Sequence, residues 1–272
     1  MTRDLPTRLE QVVPRATARA GLVLLGAVCL VATGADLIAP GDPFTTSDHV
    51  LLPPSWRHPF GSDDFGRDLF TAIVHGSRIS LLVALAATAI AMTLGVLVGA
   101  TAGYAGGRTD EVLMRVTEVF QVVPRFFLVV TAVALFGSGL GLVILIVALT
   151  SWSSTARLVR AQVMSAVTFD HVLAARAVGA RPLRIVWRHI LPTALPPLVA
   201  HAAFQASGAI LAEAGVSFLG LGDPSVMTWG ALLHEAHHLL RVAWWLAVFP
   251  GLALTVTVLG LHLVADGVAD AR

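Results

Sequence analysis

Apolar residues in this chain gather into long uncharged blocks separated by polar stretches, and the block lengths predict the elements. After a polar, Arg-rich opening over residues 1–19 (Arg3, Arg8, Arg15, Arg19), the first block runs from Ala20 to about Ile38. An A-x-A-like reading lies near its end, but no clear small-residue cleavage site precedes a soluble domain, so a retained signal-anchor helix is expected rather than a removable leader. Residues 39–76 are rich in Pro, Gly and Asp and read as a loop with at most short helices. A second block covers Ile79–Gly103, with Gly95, Gly99 and Gly103 four apart, the ladder of small residues that lets two helices pack closely. Gly106-Gly107-Arg108 turns the chain, and a third block, Val112–Phe136, carries Glu118, Pro124 and Arg125 inside it. The GSGLG turn (137–141) leads to a fourth block, Leu142–Leu158. A fifth, Leu195–Leu219, and a sixth, Val242–Ala265, flank a polar stretch over Gly220–Arg241. Each block is near the roughly 20 residues that cross a bilayer as a helix. The pattern predicts an all-α membrane protein with six transmembrane helices.

Between the fourth and fifth blocks lies a polar, Arg-rich island, Thr168–Pro197. Its first half reads as a short amphipathic helix with Val172, Ala175 and Val178 on one side and Arg176 turned away. Gly179 supplies a left-handed stop, and Pro182 suits the first turn of a second short helix. That helix is expected to place Leu183, Val186, Trp187 and Ile190 on one side and Arg181, Arg184 and Arg188 elsewhere, and to break at Leu191-Pro192. Such a pair of short basic helices suits either an anionic lipid surface or a groove on a partner protein.

Composition agrees with the block pattern: of 272 residues, 56% are hydrophobic and 13% charged. A net charge of +1 leaves no basic field for nucleic acid. All 18 basic residues are arginine, which removes the chemistries that need lysine: the P-loop, the Schiff base and the Ser–Lys dyad. If ATP drives this protein, the ATPase is another chain. Cys29 stands alone, so no internal disulfide or cysteine metal cluster forms.

With six spans, thirteen arginines fall on the side of the termini and the island, against four (Arg57, Arg67, Arg78, Arg241) on the other. The positive-inside rule places both termini and the island in the cytoplasm.

Several motifs together resemble one family. Ala174-Ala175, Gly179 and Leu191-Pro192 have the spacing of the EAA loop of bacterial ABC importer permeases. HPFGSDDFGRDLF (58–70), HGSRISLL (75–82), AGYAGG (102–107), LVRAQV (158–163), ILAEAGVSFLGLG (210–222) and FPGLAL (249–254) extend the match over about 57–270. The chain is similar to the second permease subunit of the peptide/nickel importer family. The position of the loop's glutamate is Leu173 here, so a carboxylate contact does not carry over. The resemblance implies a type I ABC importer transmembrane domain with a cytoplasmic EAA-like coupling loop (Ala174, Ala175, Gly179, Leu191, Pro192). It implies a homologous second permease, two ABC ATPase subunits that hold ATP and Mg, an extracytoplasmic substrate-binding protein, and the bacterial plasma membrane. Residues 1–74 would form the tail, first helix and outer loop, 75–267 the permease domain and 268–272 a C-terminal tail. The chain itself would catalyse no covalent chemistry and hold no cofactor. Small peptides are the expected cargo, with nickel or a metal chelate as the alternative.

Charged residues in the apolar blocks remain as candidates. Glu118 and Arg125, seven apart, are expected on one helix face, with Arg125 either paired in the bundle or lining the translocation path. Glu213 is the other path candidate, a structural hydrogen bond being its simpler role. Asp63, Asp64, Arg67 and Asp68 suit either an extracytoplasmic partner or local pairing. The segment His234-Glu235-Ala236-His237-His238 satisfies H-E-x-x-H, so His234 and His238 are candidate metal ligands and a membrane metalloprotease is a remote alternative. A solvated outer helix or loop is the simpler reading. A facilitator that works without an ATPase is a further class.

Overall fold

The computed structural model describes residues 6–269, and every regular element among them is helical. Met1–Leu5 of the Arg-rich opening and Arg272 lie outside the described residues. Helix α1 (Pro6–Thr33) begins well before the expected Ala20, because the polar opening continues the helix instead of preceding it. A short α2 (Ala35–Ile38) follows. Helix α3 (Leu69–Ala105) starts ten residues ahead of the expected Ile79, where the Asp68 side chain caps it by accepting from the Thr71 N–H at 2.9 Å. Its 37 residues span about 55 Å at 1.5 Å per residue, well beyond the hydrocarbon thickness of a bilayer.

The third block is not one helix. It divides into α4 (Gly107–Val122) and α5 (Arg125–Phe136), which meet at 80°. Pro124 explains the break: it has no N–H for the ladder, and it holds Val123 in an extended conformation (φ −91°, ψ 133°). Glu118 and Arg125 therefore do not share a helix face. Glu118 instead meets Arg115 at 3.2 Å on the exposed side of α4. Helix α6 (Leu140–Ala166) outruns the expected Leu158 and leads almost directly into α7 (Asp170–Ala177) and α8 (Pro182–Ile185). The expected break at Leu191-Pro192 is absent. A wide π turn (Val186–Ile190) and a tight 3₁₀ turn (Leu191–Ala194) carry the chain without interruption into α9 (Leu195–Phe218). Pro192 sits near the start of the 3₁₀ turn, where a missing N–H costs little. Helices α10 (Trp229–Ala236) and α11 (Trp245–Ala269) complete the chain.

Among the described residues five helices are long and apolar enough to cross a membrane, and six when α4 and α5 count as one broken span. Their centre is the seam between α3 and α6. A Cβ on Gly95 would stand 2.8 Å from the Trp152 carbonyl oxygen, and one on Gly103 would stand 2.8 Å from that of Arg160. Only glycine lets the two backbones approach so closely. Three apolar cores follow one another along α3. One joins Leu69, Ile73, Trp229 and Leu246 near α10, one joins Ala87, Val129, Val147 and Trp152, and one joins Val163, Val172, Ile185 and Ile190 near α7.

Candidate functional site

At the α7 end, the chain builds a closed corner. Helix α7 ends in a Schellman motif: the Ala180 N–H donates to the Ala175 carbonyl at 3.0 Å, and the Gly179 N–H donates to that of Arg176 at 2.9 Å. The motif requires a left-handed residue, and Gly179 provides it at φ +76°. Val172 and Ala175 are buried against the bundle, whereas Val178 is 84% exposed, so the expected three-residue face is a two-residue one. Six residues on, Val178 stands about 120° around the helix from Val172 and so lies off the buried face.

The second short helix also departs from its pattern. Ile185, Val186, Ile190 and Leu191 are buried, but Leu183 and Trp187 are exposed. The π turn changes the register after Ile185, and Leu183 and Trp187 end up together along grooves against α3. One groove, about 430 Å³, lies between Met92, Val96, Trp187, Pro192 and Leu195. Of the expected loop residues, Ala174 and Gly179 are exposed, Pro192 lines this groove, and Ala175 and Leu191 form the buried seat. Leu173 is exposed beside Ala174. Arg176 lies 5.0 Å from the Tyr104 ring centre, and Arg181, Arg184 and Arg188 are exposed. The corner is an exposed apolar knob rimmed by arginine.

Beneath it lies a pair that sequence reasoning missed. Arg160 on α6 grips Asp110 on α4 through two bonds, Nε at 2.5 Å and Nη2 at 2.6 Å. The partners are 50 residues apart. The sequence placed Arg160 on the basic side but carried no signal of its partner.

The broken span holds Arg125 at the first position of α5. Among the described residues, its Nε and Nη2 are buried with no hydrogen-bond partner, as is Nε2 of Gln121. A Cβ on Gly208 of α9 would stand 3.5 Å from Arg125 Nη1, so the guanidinium lies over bare backbone. Glu213 is 2% exposed: its Oε1 accepts from Ser217 Oγ at 2.7 Å, and Oε2 has no partner among the described residues. The structure does not pair Glu213 with Arg125.

At the α10 end, the H-E-x-x-H segment is not a continuous helix, since α10 stops at Ala236. His234 Nδ1 lies 2.8 Å from the Phe218 carbonyl oxygen, and the His237 and His238 rings lie 3.5 Å apart, centre to centre. Among the described residues no three His, Cys, Asp or Glu side chains are placed to hold a metal ion. Glu235 binds Arg67, which also binds Asp63 at 2.5 Å. Burial raises the Glu235 carboxyl above its ordinary range, and the Arg67 charge offsets only part of that. Burial pulls Arg67 down, but Glu235 and Asp63 together hold it above the usual arginine value. Asp68 caps α3 and meets His58 at 3.2 Å, so this acidic loop is largely paired within itself and to α10.

Comparison with known proteins places this geometry. Residues 94–271 match the family model described as "Binding-protein-dependent transport system inner membrane component". The Di/tripeptide transport system permease protein DppC of Pseudomonas aeruginosa is 36% identical over 262 residues, covering 93% of this chain and 86% of that protein. The Oligopeptide transport system permease protein OppC of Bacillus subtilis is 34% identical, covering 93% and 84%. Among solved structures, an inward-facing MetNI methionine ABC transporter aligns with a TM-score of 0.59 at 19% identity, covering 75% of this chain and 98% of that one. The fold is that of a type I ABC importer permease. The apolar spans, the seam of small residues and the closed corner are thus those of a multi-pass membrane transport subunit, and the chain belongs to the family of inner-membrane permeases of binding-protein-dependent ABC importers.

Proposed function

We propose that this permease carries small peptides and couples their passage to ATP hydrolysis on partner subunits. The corner at Gly179 is the observation that carries the coupling. Its Schellman closure holds an exposed surface of Leu173, Ala174 and Val178 with arginines around it, the shape and charge of a knob for a groove on another protein. Arginine asymmetry along the chain puts this corner and both termini in the cytoplasm of a bacterial cell, where ATPase subunits are found. In the assembled importer a homologous second permease completes the path, two ABC ATPases bind ATP and Mg, and an extracytoplasmic protein delivers the cargo. Closing of the ATPases draws the two corners together and rocks the spans between inward-open and outward-open states. The peptide assignment is drawn from the transport permeases named above. Nickel is the weaker reading: the permeases named above are described by peptides, and among the described residues no three His, Cys, Asp or Glu side chains are placed to hold a metal ion.

The test is to purify the tagged chain with its co-purifying subunits, reconstitute it in proteoliposomes and measure uptake of labelled di- and tripeptides. ATP-dependent uptake that requires the binding protein is expected. Uptake without nucleotide would make the protein a facilitator, and Ni²⁺ uptake with no peptide uptake would overturn the cargo.

A further inference from the structure

We propose that Arg125 is the residue that receives the C-terminal carboxylate of the peptide as it passes the broken span. The proposal rests on the reading of this chain as a peptide permease. Its basis is a set of donors with no acceptor. The guanidinium stands where α4 and α5 meet at 80°, with Nε and Nη2 buried and unpartnered among the described residues. Gln121, in the last turn of α4, adds a buried Nε2 donor that is also unpartnered. The first backbone N–H groups of α5 have no carbonyl before them in the helix, and the partial positive charge of a helix start adds to that of the arginine.

An uncompensated cation at membrane depth is expensive, so the site is built for an anion that is not in this chain. No acid of the chain meets the guanidinium among the described residues: Glu118 pairs with Arg115, and Glu213 accepts from Ser217 through one oxygen without reaching Arg125. A guanidinium pairs best with a flat two-oxygen acceptor, which is the shape of a carboxylate. Every unmodified peptide carries one at its C-terminus whatever its side chains, so this contact serves a broad-range carrier. Breaks of this kind within spans place irregular backbone against a cavity and aim half-helix ends at charged cargo. Gly208 keeps α9 bare beside the guanidinium, with no side chain of its own to cover the group.

The experiment uses the assembled importer with its binding protein in proteoliposomes and two probes, tri-alanine and tri-alanine amide, after the binding protein's affinity for each has been measured. In Arg125→Gln, uptake of the acid is expected to fall about tenfold or more and that of the amide less than about twofold. Arg125→Lys, which keeps the charge but loses the fork, falls between. Equal loss for both probes, no loss, or reduced recovery of the partner permease would overturn the proposal, the last by showing that Arg125 pairs across a subunit interface. If the wild type carries the acid alone, greater retention in Arg125→Lys than in Arg125→Gln supports the site, and equal loss overturns it. Wild-type importer that takes up neither probe would fail the peptide reading itself, and the Arg125 assignment with it.

Discussion

Glycines in this chain do two different jobs, and substitution separates them. At Gly179 there is open space, so added bulk meets nothing, and the constraint is the backbone at φ +76°. A β-branched residue is strained there by about 1–2 kcal/mol, whereas asparagine enters the left-handed region readily. Gly179→Val is expected to lose most peptide uptake at normal membrane abundance, and Gly179→Asn to keep it. Equal uptake by both variants would remove the corner from the coupling mechanism. Gly99 is the opposite case, since a Cβ there would press on the Ala156 carbonyl and stand 2.9 Å from Val159 Cβ. Gly99→Leu should lower the melting temperature in detergent, with a cost of about 1–3 kcal/mol for overpacking. Gly26→Leu, where nothing lies within 4 Å, is the matched control and should leave it unchanged. Both kinds of glycine were legible in the sequence, one as a four-residue ladder and one as a stop after a short helix. The partners of charged residues were not. Arg67 and Glu235 are 168 positions apart, and nothing local marks such a pair.

The spans were legible because a bilayer demands long apolar runs, and composition reports those directly. Their ends and directions were not, because hydropathy does not sense a bend: Pro124 was visible, but the 80° turn it permits depends on what α5 packs against. The π and 3₁₀ turns escaped for the same reason, since burial of Ile185, Val186 and Ile190 overrides the proline as a stop signal. Another tertiary device holds α6. Its first N–H, on Leu140, donates to Asp223 Oδ2 at 2.9 Å, a cap supplied from the loop after α9. The Ser225 hydroxyl, the Ser225 N–H and this contact hold the Asp223 carboxyl below its ordinary value. A carboxylate with a lowered folded-state value stabilises the fold above the unfolded-state value. That contribution is lost as pH falls through the lowered one. Asp223→Ala should cost about 1 kcal/mol, as other lost caps do. Melting measured against pH should show a shallower acid limb in Asp223→Asn than in wild type. An unchanged acid limb would mean that the cap carries no charge-dependent stability.

If the corner couples the path to ATPase subunits as proposed, a displacement there must become a change along the path, and one route for it runs through α6. Helix α6 runs almost directly into α7, so force on the corner moves α6 along its length. The two-bond grip of Arg160 on Asp110 passes that movement to α4, and α4 ends at the Pro124 break that presents Arg125. The α3–α6 seam is too tightly packed to absorb the motion, because packed backbones shift as units instead of deforming. If the pair transmits the stroke, Arg160→Gln should leave the importer assembled and its ATPases active but reduce peptide uptake per ATP hydrolysed. A double-mutant cycle with Asp110→Asn should show a coupling of about 0.5–3 kcal/mol in stability, as residues in direct contact do. A physical link between two moving elements requires both results, since spatial intermediacy alone is not coupling. Parallel loss of ATP hydrolysis and uptake, with their ratio constant, would assign the Arg160–Asp110 pair to holding the corner in place and leave the broken span to be driven through α9.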